Sequence, residues 1–161
     1  MKGHPGGAEH TRRLLALAAL PCGASILDLG AGAGESVRLL RELGFEARGL
    51  DLEPRSPLVE EGDLLQAPFP DRSFDAVLSE CSFYVSGDVP GALREARRLL
   101  RPGGRLLLSD VEFTPLRPLA EAAGFTVLRE EDLTPLWREE APCCALPKGK
   151  CAYRLLIAER R

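Results

Sequence analysis

The sequence predicts an α/β fold built on a doubly wound, mostly parallel sheet, and three observations predict it. The first is ILDLGAGAGES, Ile26 to Ser36, where an apolar strand, a Gly-rich turn and a helix start follow one another without a break. The second is EARGLDL, Glu46 to Leu52, a further strand pattern that ends in a carboxylate about twenty residues beyond the glycines. The third is the alternation of apolar β-type runs with helical periodicity along the rest of the chain, as βαβ units require.

Taken in order, Glu9 to Leu20 reads as a helix stopped by Pro21. Ser25 to Leu29 is too apolar for a strand with one face in water. The glycines Gly30, Gly32 and Gly34 then let the backbone turn sharply and come close to a ligand. Glu35 to Leu43 is amphipathic, with Val37, Leu40 and Leu43 at helical spacing and Arg38, Arg41 and Glu42 free to face water. The strand Glu46 to Leu52 follows, and Leu58 to Glu61 is the third. Only six residues, two of them proline, lie between Asp51 and that third strand, whereas a parallel crossover takes about a dozen. The third helix is therefore expected to be reduced or absent, and the third strand irregular or absent.

Phe74 to Ser79 is the fourth strand and leads into a loop ending near Gly87. Val89 to Leu100 is a helix, apolar at helical spacing through ALREARRLL and closed by Pro102 and Gly103. Arg105 to Ser109 is the fifth strand, Leu116 to Ala123 a helix capped by Gly124, and Phe125 to Arg129 the sixth strand. Asp132 to Glu139 reads as a short helix and Cys151 to Glu159 as the last strand. No internal repeat or low-complexity tract interrupts the pattern.

Composition sets limits. A chain of 161 residues and 17.5 kDa is expected to be one domain, residues 1–161, with a substrate site built from loops. Lysine and arginine number 21 against 24 acidic residues, a net charge of -3 with no basic run, so nucleic acid is not an expected substrate. The apolar stretch Leu14 to Leu20 is short for a membrane span and lacks a signal-peptide layout, so the chain reads as cytoplasmic, with no membrane partner.

The Gly-rich turn by itself is also compatible with an ordinary tight turn. Asp51 adds a carboxylate placed where both hydroxyls of a ribose can be held, a device shared by nicotinamide dehydrogenases and methyltransferases. The dinucleotide fingerprint wants a third glycine where this chain has Glu35, and Asp28 stands two residues before the first glycine, where it would repel a pyrophosphate. S-adenosylmethionine fits better, because its sulfonium and ammonium cations suit Asp28 and Glu35.

On these residues the chain resembles the class I S-adenosylmethionine-dependent methyltransferases, from about His4 to the C-terminus. ILDLGAGAGES is similar to their first motif and GLDL to their ribose-binding strand end. EGDLLQAPFPDRSFDAVLSECS resembles the adenine loop and fourth strand, and LLRPGGRLLLSD the turn into the fifth strand. FPDRSFDAV and LLRPGGRLLLSDV most resemble the small-molecule enzymes, such as those of quinone biosynthesis and of arsenite. The resemblance implies a Rossmann-like sheet of order 3-2-1-4-5-7-6 with the last strand antiparallel, and S-adenosylmethionine as cofactor, leaving as S-adenosylhomocysteine. It places the methionine moiety over Gly30, Ala31 and Gly32 with Asp28 nearby, and the ribose on Asp51. The adenine falls to Asp63 and Leu64 with Leu52 against one face, and Glu80 and Cys81 line the methyl-transfer side. HPGGAEHTRR resembles a lid, with His10, Thr11 and Arg12 as candidate contacts. A lone histidine in an N-terminal segment is more often a solvated surface residue, and that reading of His10 stands beside the lid. Asp51 and Asp63 also have plain readings, as a strand-end carboxylate and a turn residue. Asp75 is read as satisfying backbone donors at the start of the fourth strand.

Methyl transfer is an in-line displacement, so positioning and exclusion of water dominate, and a general base is needed only for an acceptor that must lose a proton early. Glu80, Cys81, Tyr84, Asp110 and Glu112 are candidates for the methyl-transfer side, none above the others, since strand ends line the crevice of an open α/β sheet. Cys81 stands where arsenite methyltransferases place a cysteine, so a metalloid-binding thiolate and a pocket-wall thiol are both open readings. Cys22 reads as loop or core packing. Cys143, Cys144 and Cys151 lack CxxC spacing, and no metal site is expected. Val111 to Pro115 joins the fifth strand directly to the next helix, leaving little cover for a large acceptor. The expectation is a methyltransferase acting on a small molecule, with a homodimer or a partner protein completing the acceptor pocket. A cofactor-binding subunit that needs a partner protein for activity is the alternative, and a nicotinamide dehydrogenase a distant third.

Overall fold

A computed structural model describes residues 4–139 and 150–161. The elements run α1 (Gly7–Ala18), β1 (Ser25–Leu29), α2 (Glu35–Glu42), β2 (Glu46–Asp51), β3 (Val59–Glu61), β4 (Phe74–Glu80), α3 (Val89–Leu99), β5 (Leu100–Glu112), α4 (Leu116–Ala122), β6 (Phe125–Asp132), α5 (Thr134–Glu139) and β7 (Ala152–Arg160). The seven strands form one sheet in the order β3-β2-β1-β4-β5-β7-β6. Pairing is parallel from β3 to β5, and β7 lies antiparallel to both β5 and β6. This is the expected Rossmann-like, doubly wound arrangement.

Strand alternation divides the core into two layers. Ile26, Ala76, Leu78, Leu107, Leu155 and Ile157 pack with Leu14 of α1, Val37 and Leu40 of α2 and Trp137 of α5. Their neighbours Leu27, Leu29, Val77, Leu106, Leu108 and Leu156 pack on the opposite face with Leu93 and Leu99 of α3 and Leu116 and Ala120 of α4. Both faces are covered, which is why these strands read as continuous apolar runs.

Between β2 and β3 there is no helix, as the short linker requires. The loop 52–58 instead folds over the glycine turn, Arg55 N–H donating to the Gly32 carbonyl at 3.0 Å. The third strand is present nonetheless, against the expectation of an irregular or missing one, because Gly49 to Asp51 offers it a parallel ladder. Other differences are at boundaries. The first helix starts at Gly7 and is ended by Ala19 in the left-handed region, just short of Pro21. The fifth strand starts at Leu100, where Leu100 pairs with Phe74 before the register shifts around Pro102 and Gly103. The sixth extends to Asp132 because β7 pairs along its whole length. The helix α3 is capped by Asp88, whose side chain accepts from Gly91 N–H at 2.8 Å. Among the described residues, no helix is long and apolar enough to cross a membrane.

Candidate functional site

The carboxyl ends of β1, β2, β4 and β5 meet at the glycine turn. Gly30 and Ala31 donate to the Leu50 carbonyl at 2.8 and 3.0 Å, which pins the turn to β2. Gly30 sits at φ 83, and a Cβ there would run into the Ser82 side chain, so only glycine lets the loop after β4 close against the turn. Gly32 N–H donates to Asp51 Oδ2 at 2.9 Å, and Glu53 N–H to Asp51 Oδ1 at 2.9 Å. Asp51 therefore organises the turn and the loop beyond β2 together.

These segments enclose an open cavity of about 250 Å³. Gly30, Asp51, Leu52, Asp63 and Leu64 line it on the β1–β3 side, and Cys81, Ser82 and Val85 on the β4 side. Five of the residues expected to hold a cofactor are thus brought to one wall, facing Cys81. Leu52 is 64% exposed, as the missing third helix leaves it. Asp63 Oδ1 accepts from Leu65 N–H at 2.8 Å, a turn contact. Asp28, Ala31, Gly32 and Glu80 are not on this wall.

Asp28 and Glu80 form a second, buried group behind the turn. Thr11 Oγ1 donates to Glu80 Oε1 at 2.9 Å, and Ser36 Oγ reaches the same oxygen at 3.4 Å. His4 Nδ1 lies 2.7 Å from Glu80 Oε2. Of the N-terminal contacts the lid resemblance suggested, Thr11 is here. His10 is not the solvated residue its position suggested: it is buried, and His4 makes the approach to Glu80 in its place. Arg12 is exposed and faces Glu9 at 3.6 Å. Glu35 is exposed at the start of α2, so its charge is largely screened there. His4 gave the sequence no signal beyond its residue type, since a contact across 76 positions belongs to the fold alone.

Burial pushes the Asp28 carboxyl up to about 8, with the charge of Glu80 adding to the rise, His4 opposing it and Asp51 reinforcing it. Between the ordinary carboxylate range and about 8 the folded chain holds a proton that the unfolded chain has released. The stability contributed in acid is consequently lost as pH climbs through that window. Asp28→Asn cannot ionise, so its stability relative to the parent is expected to improve by about 1 kcal/mol per pH unit across the window and to level off above it. Urea unfolding between pH 5 and pH 9, with about one pH unit per step, measures this; a gap independent of pH contradicts the assignment.

The candidates for the methyl-transfer side separate by surroundings. Asp110 is buried, accepting from Phe83 N–H and Tyr84 N–H on Oδ2 at 2.8 and 3.2 Å and from Val111 N–H on Oδ1 at 2.7 Å. Burial raises it to about 6 and those backbone donors hold it from going higher. Glu112 accepts from Leu116 N–H and from Arg154 Nε, at 2.8 and 2.9 Å. Both carboxylates shape the loops around the cavity. Tyr84 is at the surface, its ring 5.5 Å from that of Phe113. Cys81, at φ 61, directs its Sγ to the Tyr153 hydroxyl at 3.3 Å, and Tyr153 donates in turn to Ser109 Oγ at 3.2 Å. Tyr153 went unnoticed in the sequence, although a hydroxyl inside the apolar run AYRLLIA is a signal, because a buried tyrosine needs a partner for it. Asp75 accepts from Ser25 N–H at 2.8 Å at the start of β4, the role expected of it. Cys22 is exposed and Cys151 half-buried, while Cys143 and Cys144 lie outside the described residues.

Comparison with known proteins agrees with this geometry. A family profile described as a methyltransferase domain matches residues 27–108. Demethylmenaquinone methyltransferase of Tropheryma whipplei is 33% identical over 118 residues, 64% of this chain and 48% of that protein. Malonyl-(acyl-carrier protein) O-methyltransferase of Serratia marcescens is 34% identical over 120 residues, 68% of this chain and 47% of that protein. The chain thus spans about half the length of the curated relatives it matches. Among solved structures, phosphoethanolamine N-methyltransferase 2 of Haemonchus contortus, in complex with S-adenosyl-L-methionine, superimposes with a TM-score of 0.77 over 98% of this chain and 53% of that one, at 18% identity. That likeness is one of fold.

Proposed function

Because the chain belongs to the methyltransferase domain family, we propose that it is an S-adenosylmethionine-dependent methyltransferase acting on a small-molecule acceptor, with residues 1–161 as a single catalytic domain. The observation that carries this reading is the pair of environments at the glycine turn: a cavity edged by Asp51, Leu52, Asp63 and Leu64, and behind it two buried carboxyl groups, Asp28 and Glu80, with one facing imidazole. The donor set suits the cofactor. Each Asp51 oxygen accepts one backbone N–H and keeps a lone pair for a ribose hydroxyl. Leu52 and Leu64 offer apolar flanks to a purine and Asp63 an acceptor to its amine, and the turn at Gly30, Ala31 and Gly32 would take the methionine moiety. Glu80 supplies negative charge for the cationic end, and Asp28 adds to it once it gives up its proton.

The cofactor, when bound, supplies a methyl group activated on a sulfonium. The chain orients the acceptor and shields the transfer from water. Cys81 stands with Ser82 on the β4 wall of the cavity, where it meets the acceptor side and hands its hydrogen bond inward to Tyr153. Glu80 is held by Thr11 and His4 and serves the cofactor rather than the acceptor. Val85 and Phe113 are 76% and 45% exposed on the acceptor side. Their exposure favours a second reading for full activity, in which a homodimer or a partner protein covers them. Cys22 and Cys151 are free thiols, as a cytoplasmic enzyme would keep them.

Calorimetry comparing S-adenosylhomocysteine with NADH tests the cofactor, with binding of the former alone expected. Mass spectrometry of metabolite extracts incubated with the protein and methyl-labelled cofactor then identifies the acceptor. Binding of NADH in preference to S-adenosylhomocysteine would overturn the proposal. Label transfer that appears only on dimerisation or beside another protein supports the second reading.

A further inference from the structure

The N-terminal segment sets an imidazole against the buried carboxyl pair. His4 Nδ1 is 2.7 Å from Glu80 Oε2, the two side chains being 14% and 4% exposed. The groups around it come from five elements. Pro5 offers its carbonyl to Nδ1 at 3.2 Å, and the His10 ring lies 6.0 Å away, tilted. From α1, Thr11 Oγ1 is 3.4 Å from His4 Nε2 and also donates to Glu80. The charge of Asp28 on β1 reaches His4, Ser36 of α2 touches Glu80, and Asp51 on β2 adds its charge to Asp28. Glu80 in contact and Asp28 nearby therefore both bear on a ring that can carry a charge of opposite sign.

Resting on the cofactor reading above, we propose that the His4 imidazolium is the resident counter-ion of Glu80 beside the buried Asp28 carboxyl, and that binding a cationic cofactor displaces it, either by expelling its proton or by releasing the N-terminal segment from Glu80. Two cations cannot share the single buried Glu80 carboxylate without strong repulsion, because the neighbouring Asp28 keeps its proton at neutral pH and little solvent screens them there. Either the imidazole gives up its proton to bulk water, leaving the ring neutral, or the segment swings out. Burial alone would lower the His4 titration, but the contact with Glu80 and its charge, with the Pro5 carbonyl and Asp28, outweigh it and raise it above the ordinary histidine value. S-adenosylmethionine, with a sulfonium as well as an ammonium, meets more of this opposition than S-adenosylhomocysteine. The device thus makes cofactor affinity depend on pH through a residue outside the glycine motif.

The chain has two histidines, so the ring resonances are readily assigned with a His4→Asn variant. In the free protein the His4 resonance is expected to titrate above the ordinary histidine value, and saturation with S-adenosylhomocysteine at neutral pH should move it to its neutral or solvent-exposed position. Calorimetry in two buffers of different ionisation enthalpy should show fewer protons released on binding by His4→Asn than by the parent. The parent's affinity for S-adenosylmethionine should tighten with rising pH by up to about tenfold per unit until His4 has titrated; His4→Asn should lose that part of the profile and bind more tightly in acid. Asp28→Asn separates the contribution of the neighbouring carboxyl. A His4 ring that stays protonated in the complex, or a pH profile that His4→Asn leaves unchanged, overturns the proposal while leaving the cofactor reading intact. Failure of the parent to bind either ligand at any pH overturns both.

Discussion

Asp51→Ala is expected to weaken S-adenosylhomocysteine binding on the order of 100-fold. The carboxylate is the one charged acceptor at the end of β2 that lines the cavity, and hydrogen bonds to a charged group are worth about 1.5–3 kcal/mol each. A loss of about 3 kcal/mol is roughly two decades in affinity. The same substitution frees Gly32 N–H and Glu53 N–H, so the turn and the loop beyond β2 lose their common anchor. Asp51→Asn keeps an acceptor oxygen and should fall between the two. Isothermal titration with all three proteins, each checked for folding by circular dichroism, measures the effect. Undiminished binding by Asp51→Ala would contradict the ribose assignment.

The larger effect on stability is expected at Asp110. Its carboxylate is the acceptor for three backbone donors, Phe83, Tyr84 and Val111, at a site that is 1% exposed. Removing it leaves those donors unsatisfied, each at about 1–3 kcal/mol less whatever relief solvent brings, so Asp110→Ala should lose about 3–5 kcal/mol. Asp110→Asn can still accept from Phe83 and Tyr84 but sets a donor against Val111 N–H, and should lose about 1–2 kcal/mol. Urea unfolding at neutral pH gives both values. A loss below about 1 kcal/mol for the alanine variant would return Asp110 to the list of residues free to act on an acceptor. Because the loop from Ser82 to Val85 forms one wall of the cavity, the alanine variant should also bind S-adenosylhomocysteine more weakly.

Much of the fold was legible because its cause is local. Ser25 to Leu29 is a buried parallel strand for the same reason that it reads as continuously apolar, and the absent third helix follows from a linker too short to hold one. Boundaries were less legible where pairing across the sheet extends a strand, as Leu100 does against Phe74 and Asp132 against Arg154. In the candidate site, Gly30, Asp51, Leu52, Asp63 and Leu64 could be picked out together because each stands at a strand end or a turn whose position in the sheet is set by chain order.

His4 and Tyr153 could not be picked out in that way. Neither belongs to a local pattern, and each acquires its partner, Glu80 or Cys81, only when segments more than 70 positions apart meet. The same holds for the sorting of carboxylates: Asp110 and Glu80 look alike at two neighbouring strand ends, yet one is spent on backbone donors and the other on Thr11 and His4. The sequence by itself determined the alternation of strands and helices, the glycine turn and the carboxylate at the end of β2, because periodicity, turn chemistry and linker length act over a few residues. Which buried acid faces a ligand, which satisfies a loop and which is neutralised by the N-terminal segment was decided by the tertiary structure alone, since burial and charge depend on everything that packs around a side chain and not on its neighbours in the chain.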